Sequence, residues 1–366
     1  MSERLKRSLI ERIGATGPIT FAEFMEAALY DPEDGFYARP PVGEHGHFVT
    51  SPHVSVAFAA LIARQLAEVW DILGHPRRLP IVEVGAGDGT LAGQLLEAAA
   101  RVPDLARAIS YLAVERSPGA RRALQARGIA TADSLEAVAP MTGCVVANEL
   151  LDNLPFHRLR RSNDRVVEVR VGAHENHLVE VETDPSPTLL EDLNGSLQEG
   201  TEQPVSLGMR SLVADIGRAL ARGYAFFFDY GFAWGESPGP VHAYRDQRAL
   251  PEILEDPGSR DLTAGVDLAA VARAAEDAGL TVWGPVSQRN ALLALGYRSW
   301  ALALGDRRGE AQAAGNWREA NRIFAEQSKA SILVDEAKLG GLRLIALATP
   351  DLPAPAAVLA DPDAER

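Results

Sequence analysis

The sequence predicts an α/β protein: a doubly wound sheet of seven strands, preceded by a helical segment and interrupted by an antiparallel β-containing insertion. Three observations predict it. From about residue 80 onward, short apolar β-branched runs alternate with amphipathic helical patterns, the rhythm of a parallel sheet with crossover helices. The first of these runs, "LPIVEVGAGDGTLAGQLLEAA" (79–99), passes through three alternating glycines into a helical pattern, so strand, tight turn and helix follow in succession. After Pro155 the rhythm breaks into period-two alternation, "FHRLRRSNDRVVEVRVGAHENHLVEVET", with turn residues at Ser162 to Asp164 and at Gly172 to Asn176, which reads as antiparallel strands.

In chain order, residues 3–30 read as two helices. The second opens at "ITFAEFMEAAL", where Thr20 caps and Glu23, three residues on, completes a capping box. A glycine- and proline-rich stretch leads into "VAFAALIARQLAEVWDIL", apolar on a helical period and ended by Gly74 and Pro76, so 1–75 form an N-terminal helical and lid segment. The core follows as strand 80–84, helix 90–100, strand 110–115, helix 117–127, a short strand near 129–131 and strand 143–148. The insertion occupies 156–205. The core resumes with helix 206–221, the strand "YAFFFDYG", a long loop 232–264, helix 266–278, strand 280–287, helices over about 290–336 and a last strand, "LRLIALAT". The core thus spans 76–155 and 206–349, and the tail 350–366 reads as disordered.

Composition narrows the function. A chain of 366 residues, 46% hydrophobic, is long enough for a substantial core. The net charge of −14 argues against nucleic acid as a partner, because phosphate binding needs a concentrated basic surface. Cys144 is the single cysteine, so no intrachain disulfide forms and a reducing compartment is the simplest setting. No apolar run reaches the length of a membrane span and the start lacks an apolar signal core, so a cytoplasmic protein without a membrane partner is expected. Lysine occurs only at Lys6, Lys329 and Lys338 beside abundant arginine, a coding bias of GC-rich bacteria rather than a functional signal.

The glycine turn does not suit a dinucleotide. The spacing is Gly85, Gly87, Gly89, with Thr90 where the third glycine of a dinucleotide fingerprint belongs, and Glu83 would repel a pyrophosphate. A ligand that is cationic there and carries no phosphate fits, and S-adenosylmethionine (SAM) has a sulfonium and an α-ammonium. Strand, Glu-x-Gly-x-Gly-x-Gly and helix resemble motif I of class I SAM-dependent methyltransferases; an ordinary glycine-rich turn is the alternative. Glu115, ending the second strand, can accept both ribose hydroxyls of an adenosyl group or stand solvated. Asp133 either holds the adenine amino group or caps the helix beginning near Leu135.

In "VVANELLDNLPFHRLRR", Asn148 and Glu149 sit at the carboxyl end of a strand with Asp152 and Asn153 one turn on. Ligands of open α/β sheets bind at such ends, so Asn148 is assigned to the cofactor, and Glu149 and Asp152 to an amine or guanidinium acceptor. Alternatively, Asp152 caps a helix and Glu149 is solvated. Asp229 and Tyr230 end another strand beside the acceptor, where Tyr230 either contacts it or is simply buried; His242 to Arg248 line its entrance.

These segments, together with "GPITFAEFMEAALYDPEDGFY", "GHFVTSPHVS" and "DPGSRDLTAGVD", resemble the MidA-like family of class I SAM-dependent methyltransferases over about residues 5–349. Relatives in that family include a mitochondrial complex I assembly factor regarded as a protein arginine methyltransferase. The resemblance implies a seven-strand Rossmann-like methyltransferase core, SAM as cofactor, and in-line transfer of methyl to an arginine or other nitrogen of a protein. It also implies that Phe48, Thr50, Ser51 and Pro52 lie over the cofactor. The chain departs from the family at His47 and His53, where acids are usual, and at Gly265, often histidine. The two histidines have no further ligand at metal spacing, so no metal is expected. A small-molecule or peptide acceptor, or a non-catalytic SAM-binding assembly factor, remains the alternative, and the sequence leaves a homodimer open.

Overall fold

The structure is a computed structural model that describes residues 2–38, 50–193, 197–233, 236, 238–245 and 248–359. Its central sheet has seven strands, β1 (Leu79–Val84), β2 (Ile109–Val114), β3 (Ala130–Ala132), β4 (Met141–Asn148), β5 (Leu220–Asp229), β6 (Thr281–Ser287) and β7 (Arg343–Ala348). They lie in the order β6-β7-β5-β4-β1-β2-β3. β1 to β5 are mutually parallel, whereas β7 runs antiparallel between β5 and β6. The strand order reverses beside β1, which pairs with β2 on one side and β4 on the other, so a ligand crevice opens at the carboxyl ends of these three strands.

Alternation along β5 shows why the sheet needs two helical layers. Phe226 and Phe228 point into one core with Phe58, Leu61, Ile62 and Leu66 of helix Val56–Ile72. Phe227 points into the other, with Val213 and Ile216 of helix Leu207–Ala219 and Val271 of helix Leu268–Asp277. Each fully buried phenylalanine contributes about 2–3 kcal/mol of apolar burial.

Helices Ser2–Thr16 and Phe21–Tyr30 pack on the insertion rather than on the central sheet. Phe21 and Phe24 join Phe156 and Val171 in a separate core, and Ile19 bridges to Val171. The expected capping box is present: Glu23 N–H donates to the Thr20 hydroxyl (3.1 Å) and Thr20 N–H to Glu23 Oε2 (2.9 Å). The insertion is a four-stranded antiparallel sheet, His177–Thr183, Arg165–His174, His157–Ser162 and Glu202–Val205 in spatial order. One hairpin turns at Asn163 and Asp164, both at positive φ (51° and 63°), as a two-residue primed turn requires. The other turns at Glu175–Asn176; Gly172, read as part of that turn, lies within the strand.

Three expectations need correction. Within 232–264 the chain forms a three-stranded antiparallel sheet, His242–Arg245, Arg248–Leu250 and Asp261–Thr263, whose strands are too short to show a period. A helix, Pro103–Ala108, precedes β2. The tail 350–366 is not free over its described part: Leu352 and Ala357 are buried, and Tyr224 donates its hydroxyl to Pro353 O (2.8 Å). The amides of Ala356 and Ala357 donate to Glu68 and Gln65, so acceptors on helix Val56–Ile72 hold a segment that composition alone marks as loose.

Candidate active site

The carboxyl ends of β1, β2, β4 and β5 open into a cavity of about 920 Å³, near the upper limit for small-molecule sites. One end is built from the glycine turn. Gly85, Gly87 and Gly89 all have positive φ (73°, 53° and 78°). At Gly85 a Cβ would lie 2.7 Å from Leu150 Cδ1; at Gly87 it would meet nothing, because that backbone faces the cavity. Gly89, assigned to the cofactor, does not line the cavity: it precedes helix Thr90–Ala99, and a Cβ there would strike Leu124 (2.6 Å), so it serves packing.

Glu115 stands across from the turn. Gly87 N–H donates to its Oε2 (3.0 Å) and Ser117 N–H to its Oε1 (2.8 Å), which leaves a lone pair on each oxygen for a pair of vicinal hydroxyls. Glu83 is almost wholly buried on the cavity wall and accepts the Tyr111 hydroxyl (2.8 Å); burial, then Glu115 and Asp88 nearby, push its carboxyl up to about 8. A cationic ligand would ionise it. Asp133 lines the cavity and makes no hydrogen bond among the described residues; the cap position of the short helix after it belongs to Ser134.

Asn148 donates from Nδ2 to Glu149 Oε1 (3.1 Å), while its Oδ1 is sealed from solvent without a partner among the described residues. That orphaned acceptor, the half-used Glu115 and the buried Glu83 are the groups an ammonium and a ribose would satisfy. These acceptors therefore fit SAM, whose ammonium and ribose hydroxyls donate.

The segment over the turn is latched from several sides. His53 uses both ring nitrogens, Nδ1 on the Thr50 hydroxyl (2.9 Å) and Nε2 on Asp88 (3.2 Å), and Gln94 donates to Pro52 O (3.0 Å). Burial opposes but does not outweigh the bonds from His53 and Thr90, which bring Asp88 down to about 2. Thr50 and Pro52 line the cavity. Ser51, also assigned to the cofactor, lies behind it: its amide donates to Glu149 Oε1 (3.1 Å) and its hydroxyl to Gln288 Oε1 (3.1 Å). His47 and Phe48 lie outside the described residues.

The far end of the cavity is acidic. Glu149 adopts φ 51°, rare for a residue with a side chain, with its amide donating to Phe228 O (2.7 Å). Burial raises its carboxyl to about 7. Asp152 lines the cavity from the 3₁₀ turn Leu151–Asn153; its Oδ2 accepts the Thr263 hydroxyl (2.8 Å), and its Oδ1 is buried and unpartnered among the described residues. Tyr230, 45% exposed, also lines this end.

Asp229, expected beside the acceptor as a catalytic group, lies behind the wall. The amides of Leu150 (3.0 Å), Leu151 (2.6 Å) and Tyr230 (2.8 Å) all donate to its carboxylate, so it positions the Glu149–Asp152 turn instead of meeting the acceptor. Burial and mutual repulsion push Asp229 well up, and burial raises Asp152.

Sequence reasoning missed Asp261. It is 3% exposed, lines the acceptor end, accepts the Tyr37 hydroxyl (3.1 Å) and Asn153 Nδ2 (3.2 Å), and is raised to about 8 by burial and by Asp152. Tyr30 stacks on Tyr37 at 5.4 Å, donates to Asn153 O (3.0 Å) and lies 3.8 Å beneath the Arg116 guanidinium. Both tyrosines and Asp261 occur in the family-like segments, which gave the only available signal. Of His242 to Arg248, read as lining the entrance, His242 and Tyr244 line the cavity, Ala243, Arg245 and Arg248 do not, and Asp246 and Gln247 lie outside the described residues.

A seven-strand sheet with its antiparallel strand between β5 and β6, and a cleft with a glycine turn facing an acid on the next strand, defines a class I SAM-dependent methyltransferase. Comparisons with known proteins carry the assignment further. The model of a family described as S-adenosyl-L-methionine-dependent methyltransferases matches residues 61–286. The chain is 30% identical over 323 residues to the mitochondrial protein arginine methyltransferase NDUFAF7 homolog of Drosophila melanogaster, covering 78% of this chain and 73% of that one. To the human mitochondrial protein arginine methyltransferase NDUFAF7 it is 27% identical, covering 79% and 73%. A crystal structure from Burkholderia thailandensis, a superfamily member bound to S-adenosyl-homocysteine, superposes with a TM-score of 0.83 at 27% identity, covering 97% and 94% of the two chains. The chain belongs to this MidA-like family and is a SAM-dependent methyltransferase.

Proposed function

We propose that the methyl acceptor is a guanidinium nitrogen of an arginine in a protein. The observation that carries this reading is the acceptor end itself: Glu149, Asp152 and Asp261 line it, and none is in an ion pair among the described residues. Buried acids without a cation are costly until one arrives. Two of the related proteins are named protein arginine methyltransferases, which supports the same acceptor.

SAM supplies an electrophilic methyl carbon with a good leaving group. Little acid–base chemistry is then needed, and positioning in a dry pocket does most of the work. Glu149 Oε1 is fixed by Ser51 and Asn148, which leaves Oε2 to accept a guanidinium N–H. The Asp261 carboxyl offers a further acceptor on the same wall. Carboxylates on two nitrogens draw the cation's charge toward them and leave the third more nucleophilic. The proton that this nitrogen sheds can pass to Glu149, whose carboxyl, near 7, is matched to the task.

The test is incubation with methyl-labelled SAM and a protein extract, followed by mass spectrometry of the labelled product. Methylarginine in a protein is the expected result. Label confined to small molecules, or to another residue type, overturns the reading.

A further inference from the structure

A second cavity, about 210 Å³, abuts the acceptor end and shares Asp152, Ala264 and Gly265 with it as a common wall. Its floor is apolar, formed by Phe156, Val205, Met209 and Ala264. Its rim is formed by helices Pro187–Glu191, Leu207–Ala219 and Leu268–Asp277 and is strongly charged. Arg210 and Arg273 face five carboxylates. Arg210 pairs with Asp192 (3.2 Å) and Asp277 (3.3 Å), and Arg273 reaches Asp192 O (3.3 Å) and Asp267 (4.0 Å). Glu191 and Glu276, both exposed, are in no ion pair among the described residues. In the shared wall, Asp152 is 8% exposed and its Oδ1 has no partner among the described residues.

The volume lies below the roughly 300–1,000 Å³ of sites that take whole ligands, but suffices for one long side chain. An apolar floor under an acidic rim suits an aliphatic stem with a cationic head. The geometry points to a subsite for a second basic side chain of the acceptor, a lysine or arginine within a few residues of the one in the reaction cavity. This rests on the protein-acceptor reading above and narrows it to segments with paired basic residues. The stem lies on Phe156 and Met209, and the head meets Glu191 and Glu276. The net charge of −14 draws such a segment in.

The test is fluorescence-anisotropy binding of labelled peptides to the full protein loaded with S-adenosylhomocysteine at low salt. One peptide set has two arginines two, three or four residues apart; the control set has the second arginine replaced by citrulline, a neutral isostere. The best two-arginine peptide is expected to bind about tenfold tighter than its control. The double variant Glu191→Lys/Glu276→Lys should erase that preference, and Glu191→Gln/Glu276→Gln should reduce it, with control binding changed less than about twofold. Equal affinity of the two sets for the wild type, or a preference that survives in both variants, overturns the subsite. Labelled methyl transfer to the citrulline peptides, measured in the same samples, reports separately on the arginine reading, which can stand while the subsite falls or fall while the affinity difference stands.

Discussion

The two ends of the cavity solve opposite problems. At the glycine turn the hydrogen-bond donors are already in place: two backbone amides hold Glu115, and, against burial, His53 and Thr90 bring the neighbouring Asp88 down to about 2. At the acceptor end, acids accumulate with no ion pair among the described residues: Glu149 rises to about 7 and Asp261 to about 8, and Asp229 is committed to three amides behind them. Glu83 is the exception at the first end, raised to about 8 on the wall a cationic ligand would meet. The difference teaches that one end is organised before its ligand binds, whereas the other keeps its acids buried and protonated until a cation arrives to ionise them.

The sharpest way to break this contrast is Glu149→Gln. Methyl transfer should fall on the order of 100-fold or more in kcat while S-adenosylhomocysteine affinity, read by calorimetry, stays within about threefold. Glu115→Ala should do the reverse, weakening S-adenosylhomocysteine about 30- to 100-fold through loss of charge-assisted bonds to the ribose, with little change in kcat at saturating SAM. Asp261→Asn should raise the acceptor KM about tenfold with a smaller effect on kcat, seen in steady-state kinetics.

Protonation offers a gentler probe. Glu83, Glu149 and Asp261 titrate higher in the folded chain than the ordinary carboxyl values of 4.5, 4.5 and 3.8, so the folded state binds more protons across roughly pH 4.5 to 8. Stability of the ligand-free protein therefore falls as pH rises through that window, by about 1.4 kcal/mol per pH unit for each carboxyl that keeps its proton only in the folded chain. Thermal melts should show a lower Tm at pH 8.5 than at pH 6, with S-adenosylhomocysteine flattening the slope by bringing an ammonium to Glu83. The smallest effect is expected for Asp133→Asn, within about threefold in calorimetric S-adenosylhomocysteine affinity, if Asp133 accepts a single hydrogen bond from adenine that an amide oxygen can also accept.

The first end of the cavity was legible because it is local: the glycine turn and Glu115 lie within two neighbouring βα units. The acceptor end is assembled from distant segments. Tyr37 and Asp261 are 224 residues apart, and no pattern in a single sequence reports such a pairing. Asp229 could be read as an acid at a strand end, but not that the amides of Leu150 and Leu151, 79 and 78 residues away, would claim it. Gly89 and Ser51 were placed in the right segments, yet which atoms face the cavity depends on Leu124 and Gln288, again remote in sequence. The tail misled for a related reason: its proline-rich composition hides amide bonds to Gln65 and Glu68.

The placement of β7 has a consequence for synthesis. β1 to β4, which carry Glu83, the glycine turn, Glu115 and Asn148, are complete once Asn148 has left the ribosome. β5 then has one open edge until β7, ending at Ala348, arrives to fill it. At 5–20 residues per second, roughly 10–40 s separate Asn148 from Ala348, and the edge of β5 is open for roughly 6–24 s of it. During that time a nascent chain holds one wall of the cavity before its sheet is closed, and β5, with Phe226, Phe227 and Phe228, is the edge a chaperone has most reason to cover.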